Sequence, residues 1–429
     1  MAQQQRHSES ARVSRREFVK ATAAMAAAGA VVNWAHAEGS ATIRLGLIGC
    51  GSRGTGAAVQ ALNADPGVAL TAMGDMLPDR LTGSLGHLHK HAPQRVQVPP
   101  ERQYVGFDAY QQVIDSGVDV VILATPPHFR PVHLNAAVDA GKHVFCEKPM
   151  AVDATGVRKV LRAAKQAERK RLTLVAGFCW RYSLPERATY GKIHDGAIGE
   201  VVSMHTTYHT SPLGTKPRQP GWSDMEWQLR NWPHFIWLSG DHIVEQACHS
   251  IDKINWAMGD VPPVRATALG GRLMREGPER GNVYDHFAVI YEYENGTRCF
   301  HTCRQMAHCS NDNSDYLLGT QGKCTVNGWT KTHEITGEHP WSYDGEHRSM
   351  YQVEHDELFA SIRKGKPIND GVWMARSTMM AILGRTAAYT GQTVTWEEAL
   401  ASEEDLSPPT YDMGEMPVRP VPMPGGNTP

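Results

Sequence analysis

The residues best suited to chemistry fall in three groups. "IGCGSRG" places Gly49, Gly51 and Gly54 in a G-x-G-x-x-G pattern, with Ser52 and Arg53 between the last two. It directly follows the apolar run "ATIRLGLIG" and precedes the helix-like "TGAAVQALNA". Glycines at this spacing allow a tight turn, close approach of the backbone to a pyrophosphate, and close packing of helix on strand. The free amides of the helix N-terminus then face the phosphates. A second strand, "VALTAMGD", ends in Asp75 about twenty residues later, where a carboxylate accepts hydrogen bonds from a ribose 2′-hydroxyl and repels a 2′-phosphate. The expected cofactor is therefore NAD, with Arg80 close enough in sequence to leave NADP open.

The second group is "ATPPHF" and "CEKP", both at the ends of apolar strands. Ligands of a doubly wound sheet bind at the carboxyl ends of its strands, which makes Thr125, Pro126, His128 and Glu147 candidate cofactor contacts. Lys148, followed by Pro149, can point at a bound nicotinamide. The third group lies in "GDHIVEQACHSIDKINWAMGD". A helix over 241–258 places His242, Glu245 and His249 on one face. A carboxylate four residues before a histidine can orient it and raise its pKa for acid–base work. The rival reading is a metal triad, but the spacing differs from H-E-x-x-H; the expectation is metal-free, with His242 packing or capping near the helix start.

The elements that must position these groups alternate strand and helix. "VDVVILA", "KHVFCEKP" and "RLTLVAGF" read as buried parallel strands, and "RPVHLNAAVDAG" and "DATGVRKVLRAAKQAERK" as helices, the latter capped by Asp153. From about residue 178 the pattern changes. "EVVSMHTTYHT" reads as a strand, "FAVIYEYENGTRCFHTCRQ" as a hairpin turning at Asn295-Gly296, and "DYLLGTQGKCTVNG" as a strand pair. Two helices follow, "YQVEHDELFASIRKG" and "GVWMARSTMMAILGRTAAYTG".

Together "GCGSRG", "ATPPHFRPVHLNAAVDAGKHVFCEKPM" and "HSIDKINWAMG" resemble the Gfo/Idh/MocA oxidoreductases, a family that includes glucose–fructose oxidoreductases and inositol dehydrogenases. The resemblance covers most of the chain. It implies an α/β protein: an N-terminal Rossmann domain with a doubly wound parallel sheet (41–177), then an α/β domain with a large open, mainly antiparallel sheet (178–400). It also implies that Lys148 orients and ionises a substrate hydroxyl, and that His249 is a proton relay or substrate ligand. Glu245 stands where the family more often has Asp. Arg181 and Tyr182 fall where the interdomain strand meets the cleft and are candidate substrate contacts, though Arg181 could equally tie the domains together. Trp222, Trp227, Trp232 and Trp237 could offer apolar platforms for sugar rings, Trp232 foremost; Trp256 reads as core.

The bulk properties fit this picture. A chain of 429 residues, 41% hydrophobic and 21% charged, is long enough for two cores, and a net charge of −2 gives no field to attract nucleic acid. The expected partners are a small carbohydrate substrate and further copies of the chain. Eight cysteines without a C-x-x-C read as mostly buried free thiols. The Pro/Gly-rich stretch 401–429 cannot build a core and reads as an arm over the surface or a neighbouring subunit. At the other end, "SRREFVK", an Ala-rich run too weak for a membrane span, and Ala35-His36-Ala37 read as a twin-arginine signal over 1–37. The mature chain would start at Glu38, in the periplasm or otherwise exported. Export leaves no pool of cofactor to recycle NADH. The resemblance implies a cofactor bound before export and regenerated in the site, either by paired oxidation and reduction of two sugars or by a glycosidase cycle of oxidation, elimination and re-reduction. A catalytically idle sugar-binding protein is the third reading.

Overall fold

The computed structural model describes residues 42–425; the candidate signal lies outside the described residues. Six parallel strands, β1 (Ile43–Ile48), β2 (Val68–Asp75), β3 (Gln103–Val105), β4 (Val120–Leu123), β5 (His143–Cys146) and β6 (Leu174–Ala176), form one sheet in the order β3-β2-β1-β4-β5-β6. These runs are apolar without alternation because helices cover both faces. The strand order reverses between β1 and β4, so the crevice opens there. The helix Ala154–Arg169 begins at Asp153, whose carboxylate accepts from the Gly156 amide at 2.7 Å, as its cap position requires.

The second sheet has nine strands: β7 (Val201–Thr210), β8 (Arg265–Gly271), β9 (His286–Glu292), β10 (Arg298–Gln305), β11 (Ser314–Gly319), β12 (Gly322–Asn327), β13 (Thr332–Gly337), β14 (Trp341–Ser342) and β15 (Val394–Thr395). Their order is β14-β13-β12-β11-β7-β10-β9-β8-β15. Only β7 and β10 pair in parallel, so the sheet is mixed and mostly antiparallel. The β9–β10 hairpin turns at Asn295-Gly296, with Gly296 at φ +85°. One face packs on the helices Cys248–Ala257 and Gly371–Thr390. The other leaves Leu269, Phe300, Tyr316 and Leu318 exposed. The helix Met350–Arg363, late in the chain, packs back on the first domain: Val353, Leu358, Phe359 and Ile362 share a core with β1, β2 and the helix Ser52–Ala64. All eight cysteines are free, and only Cys309 is exposed.

The expected helix over 241–258 is two helices, His242–Glu245 and Cys248–Ala257. The chain enters the first through Asp241 at φ +78°, and Gln246 breaks the hydrogen-bond ladder between them. Asp241 is held in that conformation by accepting from the amides of His242 and Tyr284 and from the Tyr389 hydroxyl. Such enforcement by several partners is what an unfavourable backbone angle needs.

The C-terminal arm lies over its own chain. Leu406 donates its amide to Asp153, Met416 accepts from Gln228 at 2.6 Å, Arg419 accepts from Asn282, and Pro422 accepts from Tyr284 at 2.7 Å. It thus runs from the first domain to the second. Arg181 is held within the second domain. Its guanidinium, 9% exposed, pairs with Asp252 at 2.8 Å and Asp260 at 2.6 Å and lies 4.1 Å from the Trp373 ring centre. Replacing Arg181 by Met strands buried Asp252 without a cation, and the expected loss is about 3–5 kcal/mol. Urea unfolding of the variant against the parent measures it.

Candidate active site

The glycine loop has the shape a pyrophosphate needs. A Cβ on Gly49, at φ +96°, would lie 2.5 Å from the Ala124 and Thr125 backbone, and one on Gly54 would lie 1.9 Å from the Gly49 carbonyl oxygen. These two glycines let helix and strand close up. A Cβ on Gly51 would meet nothing within 4 Å, so that position borders open space. No side chain caps the helix Ser52–Ala64, leaving its first amides for an anion. Asp75 stands at the end of β2, accepting from the Cys50 amide at 2.6 Å and the Leu77 amide at 2.9 Å. Burial pushes its carboxyl up and these amides oppose the rise. It therefore braces the loop as well as standing where a ribose would lie. The residues present fit a nicotinamide dinucleotide.

Across the crevice, Thr125 Oγ1 meets His133 Nδ1 at 3.2 Å, and Pro126 leads into the turn Pro127–Phe129. His128 Nε2 is 2.7 Å from the Tyr411 hydroxyl of the C-terminal arm. The Tyr411 ring also lies 5.9 Å from Phe107 and 6.1 Å from Phe129. The arm is thus seated on one wall of the cofactor crevice. Burial pushes His128 down to about 4, so it is neutral.

Arg53, expected at the phosphates, reaches instead toward the end of β5. Its Nε donates to Glu147, its terminal nitrogen lies 3.2 Å from Glu354, and it sits 5.0 Å from the Tyr351 ring centre. Two carboxylates on neighbouring elements outcompete open solvent for the guanidinium. Glu354 is fully buried, which raises its pKa, and the nearby Glu147 raises it further.

Lys148 lies between the domains, its side chain 15% exposed. Its Nζ donates to the Glu245 backbone carbonyl and stands 3.7 Å from the Glu245 carboxylate. Burial alone would lower its pKa, but Glu245, then Cys248 and Glu147, carry it above the ordinary lysine value. His249 stands on the next helix, its ring 6.0 Å from Phe178 and 6.5 Å from Tyr208. Burial, followed by the charges of Lys148, Lys253 and Arg53, holds it well below the ordinary histidine value. Its Nδ1 is buried without a hydrogen-bond partner among the described residues.

The expected division of labour therefore changes. Glu245 pairs with Lys148, and its Oε2 and the His249 Nδ1 are both buried without a hydrogen-bond partner among the described residues, so it does not orient His249 through that nitrogen. Lys148 is held above and His249 well below its ordinary value, which favours a charged lysine beside an uncharged histidine. His242 does not share their face. It packs 5.2 Å from the Phe287 ring, and burial lowers its pKa well below the usual value. Among the described residues no three metal-ligating side chains cluster. Tyr182 donates to buried Asp370 at 2.6 Å, and Arg181 is spent on Asp252 and Asp260, so neither faces the cleft freely. Trp227 and Trp237 are core, Trp256 stacks on Tyr190 at 4.5 Å, and Trp222 lies under Arg230 at 4.6 Å. Trp232 is partly buried against the core. Sequence reasoning missed Tyr208, Tyr351, Glu354 and Tyr411. Tyr208 follows the inward positions Met204 and Thr206 in β7, a period-two signal that could have found it. The others lie far along the chain from the motifs they join.

Residues 43–175 match an oxidoreductase family with an NAD-binding Rossmann fold, and residues 188–325 match the GFO/IDH/MocA C-terminal domain. The chain belongs to the Gfo/Idh/MocA oxidoreductases. Over 346 residues it is 25% identical to an inositol 2-dehydrogenase of Rhizobium meliloti (strain 1021), covering 77% of this chain and 93% of the relative. It is 28% identical over 197 residues to the 2,7-anhydro-N-acetylneuraminate hydratase of Escherichia coli (strain K12), a match of 46% of this chain and 48% of that one. Its fold matches a levoglucosan dehydrogenase in complex with NADH and levoglucosan at a TM-score of 0.66 and 17% identity, covering 82% of this chain and 99% of that one.

The Lys148–Glu245 pairing gives a test that needs no substrate. Glu245→Gln removes the leading charge that raises Lys148, so its pKa falls. At a fixed pH of about 8, Lys148 should be acetylated several-fold faster in the variant. Peptide mass spectrometry of the labelled proteins reads the difference.

Proposed function

We propose that this protein oxidises a secondary hydroxyl of a sugar, polyol or glycoside with NAD, and that the cofactor stays bound and is recycled within the site. The observation that carries the proposal is the convergence of a cationic lysine and a neutral, partner-free histidine beside a complete dinucleotide cradle. When bound, the nicotinamide supplies the acceptor and donor of the hydride. Lys148 binds the reacting hydroxyl oxygen and stabilises negative charge as the O–H bond breaks. The proton passes to His249, whose lowered pKa keeps it unprotonated at neutral pH. Glu245 holds Lys148 across the domain boundary.

Retention of the cofactor is supported by the arm. Tyr411 closes on the His128 side of the crevice, and the arm continues onto the second domain. A held cofactor suits the exported, periplasmic protein that "SRREFVK" suggests. The exposed apolar residues of the nine-stranded sheet, Leu269, Phe300, Tyr316 and Leu318, support assembly into a homo-oligomer. No helix of the described residues is long and apolar enough to cross a membrane.

A glycosidase cycle is the second reading, favoured by Tyr208. Burial, with nearby Glu245, keeps its phenol protonated beside His249, so a hydroxyl that can hydrogen-bond a glycosidic oxygen stands next to the histidine. The kinship with a protein named as a hydratase supports chemistry without net oxidation.

Denaturing the purified protein should release about one NAD(H) per chain, and sugar turnover should proceed with none added. Absence of bound cofactor, with turnover only on added NAD, would contradict the recycling scheme. His249→Ala should lower turnover by roughly 10²–10⁴ while leaving the bound NAD(H) in place. In the parent, kcat/KM should be flat between about pH 7 and 9. The histidine limb falls below that window because its pKa is lowered, and the lysine limb above it because its pKa is raised.

A further inference from the structure

The reaction centre continues outward along aromatic rings. The Tyr208 ring lies near-parallel to His249, 6.5 Å away with 21° between the planes. The edge of Trp329 meets Tyr208 at 6.1 Å and 72°. Burial, and after it the nearby Glu245 carboxylate that pairs with Lys148, raises the Tyr208 phenol, which places Tyr208 at the wall of the cleft that holds Lys148.

Trp329 is 47% exposed, unusual for a side chain of this size and apolarity. It stands in the turn between β12 and β13, and that turn is fixed. Asn327 Oδ1 accepts from the amides of Trp329 at 3.0 Å and Thr330 at 3.1 Å, while its Nδ2 donates to Ser314 on β11 at 2.9 Å. Gly328 sits so close to Trp180 that a Cβ would fall 2.2 Å from that ring. The indole is therefore displayed on a rigid mount, and ordering it on binding costs little. An exposed indole stacks on the C–H face of a pyranose, with the exposed Thr330 hydroxyl as a polar neighbour.

We propose that Trp329, backed by Tyr208, is an outer subsite that stacks a second pyranose ring, so that the protein acts on a disaccharide or longer glycoside in preference to a free monosaccharide. The inference rests on the carbohydrate chemistry proposed above. One ring would occupy the space between Lys148, His249 and Tyr208, and the ring joined to it would lie on Trp329.

The test compares glucose, galactose, mannose and xylose with cellobiose, maltose, lactose, mannobiose and xylobiose, using the parent, Trp329→Ala and Trp329→Phe. For whichever sugar unit is turned over, the parent should show a KM roughly tenfold lower for the disaccharide. Trp329→Ala should remove that advantage while changing the monosaccharide KM less than about twofold, and Trp329→Phe should keep most of it. Equal KM values for mono- and disaccharide in the parent would overturn the subsite. So would an advantage that survives Trp329→Ala, or a change of oligomeric state on light scattering in its place, which would put the indole in an interface. Turnover of no sugar in the panel by protein shown to hold NAD(H) would overturn the carbohydrate reading itself, and the subsite with it.

Discussion

The site depends on one cation lodged between two domains. Lys148 ends a strand of the first domain, and the carbonyl and carboxylate that hold it belong to Glu245 of the second. A buried ammonium without such partners would lose its proton or its place. Glu245 can present both groups only because the chain breaks at Gln246, while Asp241, pinned at a positive φ by His242, Tyr284 and Tyr389, fixes the entry to the same short helix. A continuous helix would commit the Glu245 carbonyl to its own ladder. The interruption of the element is thus a requirement of the lysine.

From that cation the neighbouring chemistry follows. His249 is neutral because burial and nearby positive charge both disfavour its protonated form. Two groups that could each exchange a proton are thereby driven apart, Lys148 above and His249 well below its ordinary value. Arg53 extends the same logic to the glycine loop: it links the loop to Glu147 and Glu354, coupling the cofactor cradle to the strand end that carries Lys148. The arm, bonded to Asp153 and His128 of the first domain and to Gln228 and Tyr284 of the second, ties the two together around this arrangement.

Much of this is legible in local patterns. The strand–glycine–helix order identifies the cradle, unbroken apolar runs identify the first sheet, and alternation identifies strands of the second. Lys148 and His249 stand out because short motifs carry them. What was not legible comes from long-range competition. Nothing near Arg53 in sequence says that Glu354, 301 positions away, will claim it. Helical spacing puts Glu245 and His249 on one face, and only the Gln246 backbone at φ −116° and the Lys148 bond to the Glu245 carbonyl reveal the break. The tryptophans mislead for a related reason: Trp227 and Trp237, near the candidate helix, fill the core, while Trp329, far from every motif, faces outward beside Tyr208. A Pro-rich arm carries no periodic signal at all, so its path is set only by the groups that receive it.

The central claim is that burial, reinforced by the Lys148 cation nearby, keeps His249 neutral. Histidine-selective ¹⁵N labelling, with the His249 signals assigned by their loss in His249→Asn, follows the ring nitrogens through a pH titration. The neutral pattern should persist to well below the ordinary histidine midpoint, and Lys148→Met should move the midpoint upward. A midpoint at or above the ordinary value in the parent, or one that Lys148→Met leaves in place, would contradict the account.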